Sequence, residues 1–205
     1  AACRGRRDGN LGVNAGFMAG HSAIRRVVMG KRAVGHEATD EELAEMKALL
    51  GRCLSEGAMG FSSTIAITHN DADGQPVPSR HASRDELVGL AGVCKDHEGT
   101  SLEFLPAVGE FSEDVIELMV ELTTTAQRPL NWNALSAGSP ALMENQLSAS
   151  DRALAQGGDI RALTIPQPIS IRINLYTGFV FDALEGWADI FELPIEERIE
   201  RLKDP

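Results

Sequence analysis

The sequence has few cysteines and no long hydrophobic run. Its three cysteines, Cys3, Cys53 and Cys94, cannot all pair within the chain, and their spacing matches no zinc-binding pattern. Cys53 and Cys94 fall on apolar helical stripes, so we expect reduced thiols in the core of a cytoplasmic protein. No apolar run approaches the ~18 residues of a membrane-spanning helix, and no signal-peptide pattern is present at the start. We therefore expect no membrane partner.

Motifs of several common binding sites are also missing. Neither G-x-G-x-x-G nor a P-loop occurs, which argues against a nucleotide-binding domain. The five histidines form no H-x-H or H-E-x-x-H pair, so no local zinc motif is present. An EF-hand loop aligned on Gly74 would place His69 and Arg80 at its two essential acidic positions. The stretch from Asn70 to Gly74 is therefore predicted to form a turn.

Acidic residues outnumber basic ones, 30 to 19, which gives a net charge of −11. A nucleic-acid partner is not expected at this charge. The first 35 residues are basic, which suits either a polyanion patch or arginines paired with acids elsewhere in the fold. The hydrophobic fraction of 43% and the charged fraction of 24% are typical of globular proteins. The length fits one domain or a piece of a larger one.

Short apolar runs alternate with amphipathic helical segments along the chain. Helix starts are marked by Thr39 and Ser83, each followed three residues later by glutamate in the form of a capping box, and by Ser112. The apolar runs are centred near residues 18, 61, 104, 132 and 163. Repeated strand-helix units of this size predict an α/β fold with a parallel sheet. The sheet is either part of a (β/α)8 barrel or a doubly wound sheet.

Polar residues follow the predicted strands at the sheet edge where such folds bind ligands. We expect His21, Ser62, Asn131 and Asn133 to line this edge and to contact a small-molecule substrate. Asn131 and Asn133 alternate along one strand, so they share a face. Their amides need partners, which a substrate or the neighbouring strands can provide. His21 is either a substrate contact or a structural histidine.

A long polar segment, residues 64–82, is predicted to be a loop, and loops of this length are often functional. His69 and His81 are its candidate substrate contacts. The planar guanidinium of Arg80 suits a substrate carboxylate, and a salt bridge to Asp71 or Asp73 is the alternative.

The segment Gly20–Ile24 approaches the G-x-S-x-G nucleophile elbow, but Ile24 replaces the required small residue. The order of a hydrolase triad also needs a histidine late in the chain, and the last one is His97. We therefore interpret Ser22 as the cap of the next helix.

Four segments together resemble the N-acyl-D-amino-acid deacylases of the amidohydrolase superfamily. They are Val13–Arg25, which contains GHSAIR, Ala58–Ser63 (AMGFSS), Ser83–Leu87 (SRDEL) and Gly178–Trp187, which contains GFVFDAL. The resemblance implies a partial (β/α)8 TIM-type barrel, with residues 1–205 covering approximately strands three to seven and both ends truncated. It also implies hydrolysis of a C–N amide bond of a small N-acylated molecule by metal-activated water.

The same resemblance places most of the catalytic groups outside this chain. The family's H-x-H pair and strand-two cysteine would precede Ala1, and its last-strand aspartate would follow Pro205. Its two other histidine ligands belong at the ends of strands five and six, where this chain reads Glu103-Phe104-Leu105 and Asn131-Trp132-Asn133. Glu103 is the only ionic candidate there, so we assign no metal ligand to this chain. Zinc is expected in the full-length protein and not in residues 1–205.

Three functional interpretations follow from the sequence. The first is an amidohydrolase whose isolated residues 1–205 are inactive. The second is a metal-free barrel that binds a ligand without turning it over, or an inactive amidohydrolase-like barrel. The third is a doubly wound binding domain. The sequence leaves the oligomeric state open.

Overall fold

The computed structural model describes residues 12–71, 74–135, 139–165, 167, 170, 172–176, 181 and 186–203. They fall into two compact units that divide between Thr164 and Ile165. Three features considered in the sequence lie wholly or partly outside the described residues: Cys3 with the first eleven residues of the basic start, Asp73, and most of the segment from Gly178 to Leu184. Of the described cations of the basic start, Arg25 pairs with Glu86 and Arg32 with Glu42. No helix among the described residues is long and apolar enough to cross a membrane.

The first unit contains one sheet of five parallel strands in sequential order. The strands are β1 (Ala19–Gly20), β2 (Gly60–Thr64), β3 (Ser101–Leu105), β4 (Leu130–Trp132) and β5 (Ile160–Ala162). A doubly wound sheet reverses its strand order at a switch point, and this sheet does not. The described strands therefore follow the barrel alternative.

Every pair of successive strands is connected through at least one helix. The helices of the first unit are α1 (His21–Met29), α2 (Asp40–Ser55), α3 (Arg84–Val93), α4 (Glu113–Ala126) and α5 (Pro140–Ala155). Short 3-10 helices cover Gly30–Ala33, Pro78–His81 and Cys94–Asp96. The predicted alternation of strands and helices is confirmed.

The predicted N-caps of three helices can be compared with the hydrogen bonds that the structure forms there. Thr39 forms the predicted capping box with Glu42, and the hydroxyl groups of Ser83 and Ser112 accept from the backbone amides of Glu86 and Val115. The second predicted box is formed only in part, because the Glu86 carboxylate bonds to His21 and Arg25. One glutamate therefore serves a long-range contact in place of a local cap.

The start of the described chain differs from the prediction. The apolar run centred near residue 18 predicts a strand there, but only its last two residues, Ala19–Gly20, form one. Helix α1 begins at His21, with Gly20 as its N-cap and no side-chain cap. Ser22 thus lies in the first helical turn, and the prediction that it caps the helix is wrong, since its hydroxyl bonds to Ser79.

The core lies between the sheet and the helices. Phe61, Leu102, Phe104, Leu130 and Trp132 are buried on the helix-facing side of the strands. They pack with apolar residues of the helices in a single cluster that includes Met46, Leu50, Leu90, Met119 and Leu122. Burying large side chains stabilises the fold by about 1.5–3 kcal/mol each. The opposite side of the strands is left to smaller and polar residues.

Gly60 allows β2 and β3 to approach closely. Its φ of 150° is one that side-chain-bearing residues rarely adopt, and an added Cβ would lie 1.8 Å from the backbone oxygen of Ser101. Only glycine fits this position.

The second unit contains α6 (Ala188–Glu192) and α7 (Ile195–Arg201). Helix α7 begins directly after Pro194, which is its N-cap residue. Trp187 stacks on Phe181, and the Arg198 guanidinium lies 5.2 Å from the centre of the Phe191 ring. Arg198 also donates to the carbonyls of Tyr176, Phe191 and Leu193, which holds this unit together.

Candidate functional site

A cleft of about 610 Å³ opens at the carboxyl ends of β1 to β4. We call it the strand-end cleft, and it is lined by Gly20, His21, Ser22, Ala23, Ser62, Ser63, Thr64, His69, Ser79, Glu103, Phe104, Leu105 and Asn133. Parallel α/β folds bind their ligands at this edge of the sheet, because the connecting loops there are free to carry function.

The inner face of the sheet brings polar side chains into register below the strand-end cleft. Ser62 pairs with Glu103, and Glu103 pairs with Asn131 across the parallel ladder. Asn133, two residues further on, donates its side-chain amide to the Glu103 carboxylate. Burial raises the pKa of the Glu103 carboxyl, and the Asn133 hydrogen bond opposes that rise only in part.

His21 is buried beside the strand-end cleft and is only 1% exposed. Its Nε2 lies 2.7 Å from Glu86 Oε1, and its Nδ1 lies 2.8 Å from Ser63 Oγ. An ionised carboxylate only accepts hydrogen bonds, so the proton sits on Nε2 and Nδ1 accepts from the Ser63 hydroxyl. Burial lowers the pKa of the imidazole, although Glu86 acts to raise it. The lowered pKa favours the neutral form of the His21 imidazole.

Glu86 holds His21 together with a second partner, Arg25. Arg25 and Glu86 are 0% and 1% exposed, and the Arg25 guanidinium donates to Glu86 Oε2 and to the carbonyl of His36. Burial alone would raise the pKa of the Glu86 carboxyl, but the hydrogen bonds from His21 and Arg25 outweigh it and the pKa is lowered. These three side chains connect α1 to the start of α3.

The long loop is attached to the strand-end cleft through two serines. The Ser22 hydroxyl donates to Ser79 Oγ and accepts from the Ser79 backbone amide, each at 3.1 Å. Further along, Arg80 donates to Asn70 Oδ1 at 2.6 Å and to the carbonyl of His69. The predicted turn is confirmed, since the Gln75 amide donates to the Asp71 carboxylate and a short antiparallel bridge joins Asn70 to Pro76.

The seven residues predicted to contact substrate are distributed unevenly. His21, Ser62, His69 and Asn133 line the strand-end cleft. Asn131, Arg80 and His81 are not among its lining residues. Asn131 is half-buried within β4, and His81 Nε2 is buried without a hydrogen-bond partner among the described residues.

Sequence reasoning missed Arg25, Ser63 and Glu86. His21 and Arg25 are four residues apart, a spacing that places two side chains on one helix face. That spacing was a usable signal. Glu86 occupies the last position of a capping-box pattern, which predicts a local contact and not the observed bonds to His21 and Arg25.

The described residues do not fit a zinc site. They contain no group of three or more His, Cys, Asp or Glu side chains close enough to hold a metal ion. Glu103, the one acid among the described residues that line the strand-end cleft, accepts a hydrogen bond from the side-chain amide of Asn133, a neutral neighbour. Zinc sites need three or four nitrogen, sulfur or carboxylate ligands, and the described residues do not supply such a set.

Comparison with known proteins gives matches among solved structures only. No family model matches the chain, and no curated protein matches it. The crystal structure of N-acyl-D-glutamate deacylase from Bordetella bronchiseptica, solved with zinc and a phosphonate mimic of the tetrahedral intermediate, is 21% identical with a TM-score of 0.62. The match covers 80% of this chain and 33% of that one.

A crystal structure of D-aminoacylase, described as defining a novel subset of amidohydrolases, is 24% identical with a TM-score of 0.55. It covers 76% of this chain and 31% of that one. A D-aminoacylase mutant in complex with CuCl2 matches over the same shares, with 24% identity and a TM-score of 0.54. The chain thus spans about one third of the length of these structures.

These similarities show the fold. The chain has the α/β fold of D-aminoacylase-like amidohydrolases, and its five-stranded sheet corresponds to part of a TIM-type barrel. The fold class expected from the sequence is confirmed.

Proposed function

We propose that residues 1–205 are the central part of a longer amidohydrolase that cleaves a C–N amide bond of a small N-acylated molecule, such as an N-acyl-D-amino acid. The observation that carries the proposal is the strand-end cleft, which lies at the ligand-binding edge of a fold shared with two deacylases. Its polar floor, with Ser62, Glu103 and Asn133, suits an amide substrate that needs both donors and acceptors.

In this proposal the chain binds and orients the substrate. Ser62, His69 and Asn133 contact it directly, and His21 holds the strand-end cleft in shape through Ser63. Asn131, Arg80 and His81 stay proposed as substrate contacts, with Arg80 suited to a carboxylate. A small-molecule substrate is the only partner proposed.

Zinc belongs to the proposal only as a cofactor of the longer protein. The similar structures include a zinc complex and a copper complex. No ligand is assigned to this chain, and residues 1–205 are proposed to bind no zinc and to be inactive by themselves. We also propose a cytoplasmic location, which the free thiol of Cys94 in the core supports.

One observation favours a second candidate, a metal-free barrel that binds a ligand without hydrolysing it. Glu103 and Asn133 bond to each other at the ends of β3 and β4, where the resemblance expects histidine ligands. If Glu103 and Asn133 stand in place of the metal ligands, the barrel still has a binding site, but it lacks the metal that would activate water for hydrolysis.

The test compares the longer protein with residues 1–205. Both are incubated with a panel of N-acetyl-D-amino acids and their L-enantiomers, and the release of free amino acid is measured with and without a chelator. Elemental analysis gives the zinc content of each sample. We expect D-amino acid release and about one zinc per chain from the longer protein only. Metal-free longer protein that binds panel members without turnover would establish the second candidate instead.

A further inference from the structure

The strand-end cleft has one acidic side chain and no lysine or arginine among its described lining residues. Glu103 is its single acid, and no lysine or arginine lines it. Two arginines of neighbouring elements have partners within the protein: Arg161, on β5, pairs with Asp159, and Arg80 bonds to Asn70. His21 is bonded to Glu86 and Ser63. Glu103 therefore has no lysine or arginine partner among the described residues that line the cleft.

The protein satisfies Glu103 only in part. A carboxylate has about four lone-pair positions, and the described contacts supply one neutral donor, the Asn133 amide. The side chain is half-buried, and burial raises the pKa of its carboxyl because water solvates the charge less well there. A ligand that brings a cation to this carboxylate would replace the lost solvation.

Three hydroxyl groups of the cleft have their protons committed to partners within the protein. Ser22 donates to Ser79, Thr64 donates to the carbonyl of Leu105, and Ser63 donates to the imidazole of His21. Towards a ligand these hydroxyls have only oxygen lone pairs to offer. These three hydroxyls therefore add hydrogen-bond acceptors, and no donors, to the lining of the cleft.

We propose that the strand-end cleft binds an organic cation, with the ammonium or guanidinium group of the ligand on Glu103. This inference deepens the proposed function and rests on it for the substrate class: the substrate is an N-acylated molecule with a basic group, such as a basic N-acyl amino acid. The binding itself concerns residues 1–205 only.

Three ligands of matched size separate charge from shape. N-acetyl-D-lysine carries an ammonium group, N-acetyl-D-norleucine has an aliphatic side chain without one, and N-acetyl-D-glutamate carries a second carboxylate. Their dissociation constants for the 205-residue chain are measured by NMR titration at fixed ionic strength. We expect the lysine ligand to bind about tenfold tighter than the norleucine ligand, and the glutamate ligand to bind weakest.

The variants assign the preference to Glu103. Glu103→Gln keeps the shape and should abolish the lysine preference, whereas Glu103→Asp keeps the charge and should retain it. Glu98→Gln is the control, because it changes the net charge equally at an exposed position before β3, at the other end of the strand. Circular dichroism checks that each variant is folded.

Three results would each overturn the inference. They are equal affinities for the three ligands, a lysine preference that survives Glu103→Gln, and no binding of N-acetyl-D-lysine at 10 mM, which means a binding free energy weaker than about 3 kcal/mol. The proposed function is tested by different results. If binding is lysine-selective but the longer protein shows no turnover, this inference stands and the proposed hydrolase function is wrong. If the longer protein shows turnover without a cation preference, the hydrolase function stands and this inference is wrong.

Discussion

His21 Nε2 donates to Glu86 Oε1 across 2.7 Å, although the two residues are 65 positions apart in the chain. Both are almost fully buried, and Arg25 bonds to the other carboxylate oxygen of Glu86. The contact connects the first turn of α1 with the first turn of α3, directly beside the strand-end cleft. The first two predictions concern this network.

Glu86→Gln should destabilise the protein strongly. The substitution keeps the size of the side chain but leaves the buried Arg25 guanidinium without its counter-charge, which costs about 3–5 kcal/mol in comparable buried pairs. Urea unfolding measures the change. The control is Glu113→Gln, which removes the exposed partner of Arg152 and should leave the urea midpoint nearly unchanged. Similar midpoints for the two variants would contradict a central role for the buried network.

The free energy of unfolding should decrease as the pH is lowered below about 6.5. Burial lowers the pKa of folded His21 below 6.5, so in that range the unfolded chain takes up a proton that the folded chain does not. The lowered pKa of Glu86 adds a second loss, since the unfolded carboxyl is protonated below about 4.5 while the folded one stays ionised.

An NMR titration of the His21 ring protons measures this pKa directly, and thermal melts follow the stability. In the His21→Gln variant the loss near pH 6 should be reduced, whereas His36→Gln, at an exposed position, should retain it. A His21 pKa at or above 6.5 would contradict the prediction.

Gly60→Ala should disrupt the pairing of β2 with β3. The new methyl group would meet the backbone oxygen of Ser101 at 1.8 Å, and alanine would be strained at a φ of 150°. We expect a loss of about 3 kcal/mol or more in the free energy of unfolding. Gly51→Ala is the matched control: its Cβ meets only Val93, at 3.8 Å, within a helix. It should stabilise the protein by about 0.5–1 kcal/mol. Equal effects of the two substitutions would refute the close approach.

Cys94 should resist thiol reagents in the folded protein. Burial raises the pKa of its thiol to about 11, so at pH 8 roughly one molecule in a thousand carries the reactive thiolate. Cys53 is half-buried, and we expect it to react faster. Iodoacetamide labelling followed by peptide mass spectrometry gives the two rates, with the chain in urea as the reference. Faster labelling of Cys94 than of Cys53 in the folded state would be inconsistent with its burial.

The strands and helices could be predicted because their signals are local. The apolar run around Phe61 and the cap at Thr39 depend on neighbouring residues only, and both were found. The two-residue length of β1 could not be read from Val13–Gly20, since pairing with β2 decides where a strand exists.

Sequence reasoning named several residues that line the strand-end cleft but not the contacts between them. Glu103 and Asn133 were both singled out, but their hydrogen bond depends on the register of β3 against β4, which no local pattern encodes. Glu86 was missed because the sequence offers it a local role as a cap. Burial next to Arg25 and His21 gives it stronger partners than the helix start does.

The five-stranded sheet has two outer edges, β1 and β5. Among the described strands β1 pairs only with β2, and β5 only with β4, so each outer edge presents main-chain N–H and C=O groups to whatever lies beside it. A closed barrel has no such edges. Strands added at these two outer edges would complete the ring. A separately expressed fragment that carries such strands should then restore the enclosure around the strand-end cleft.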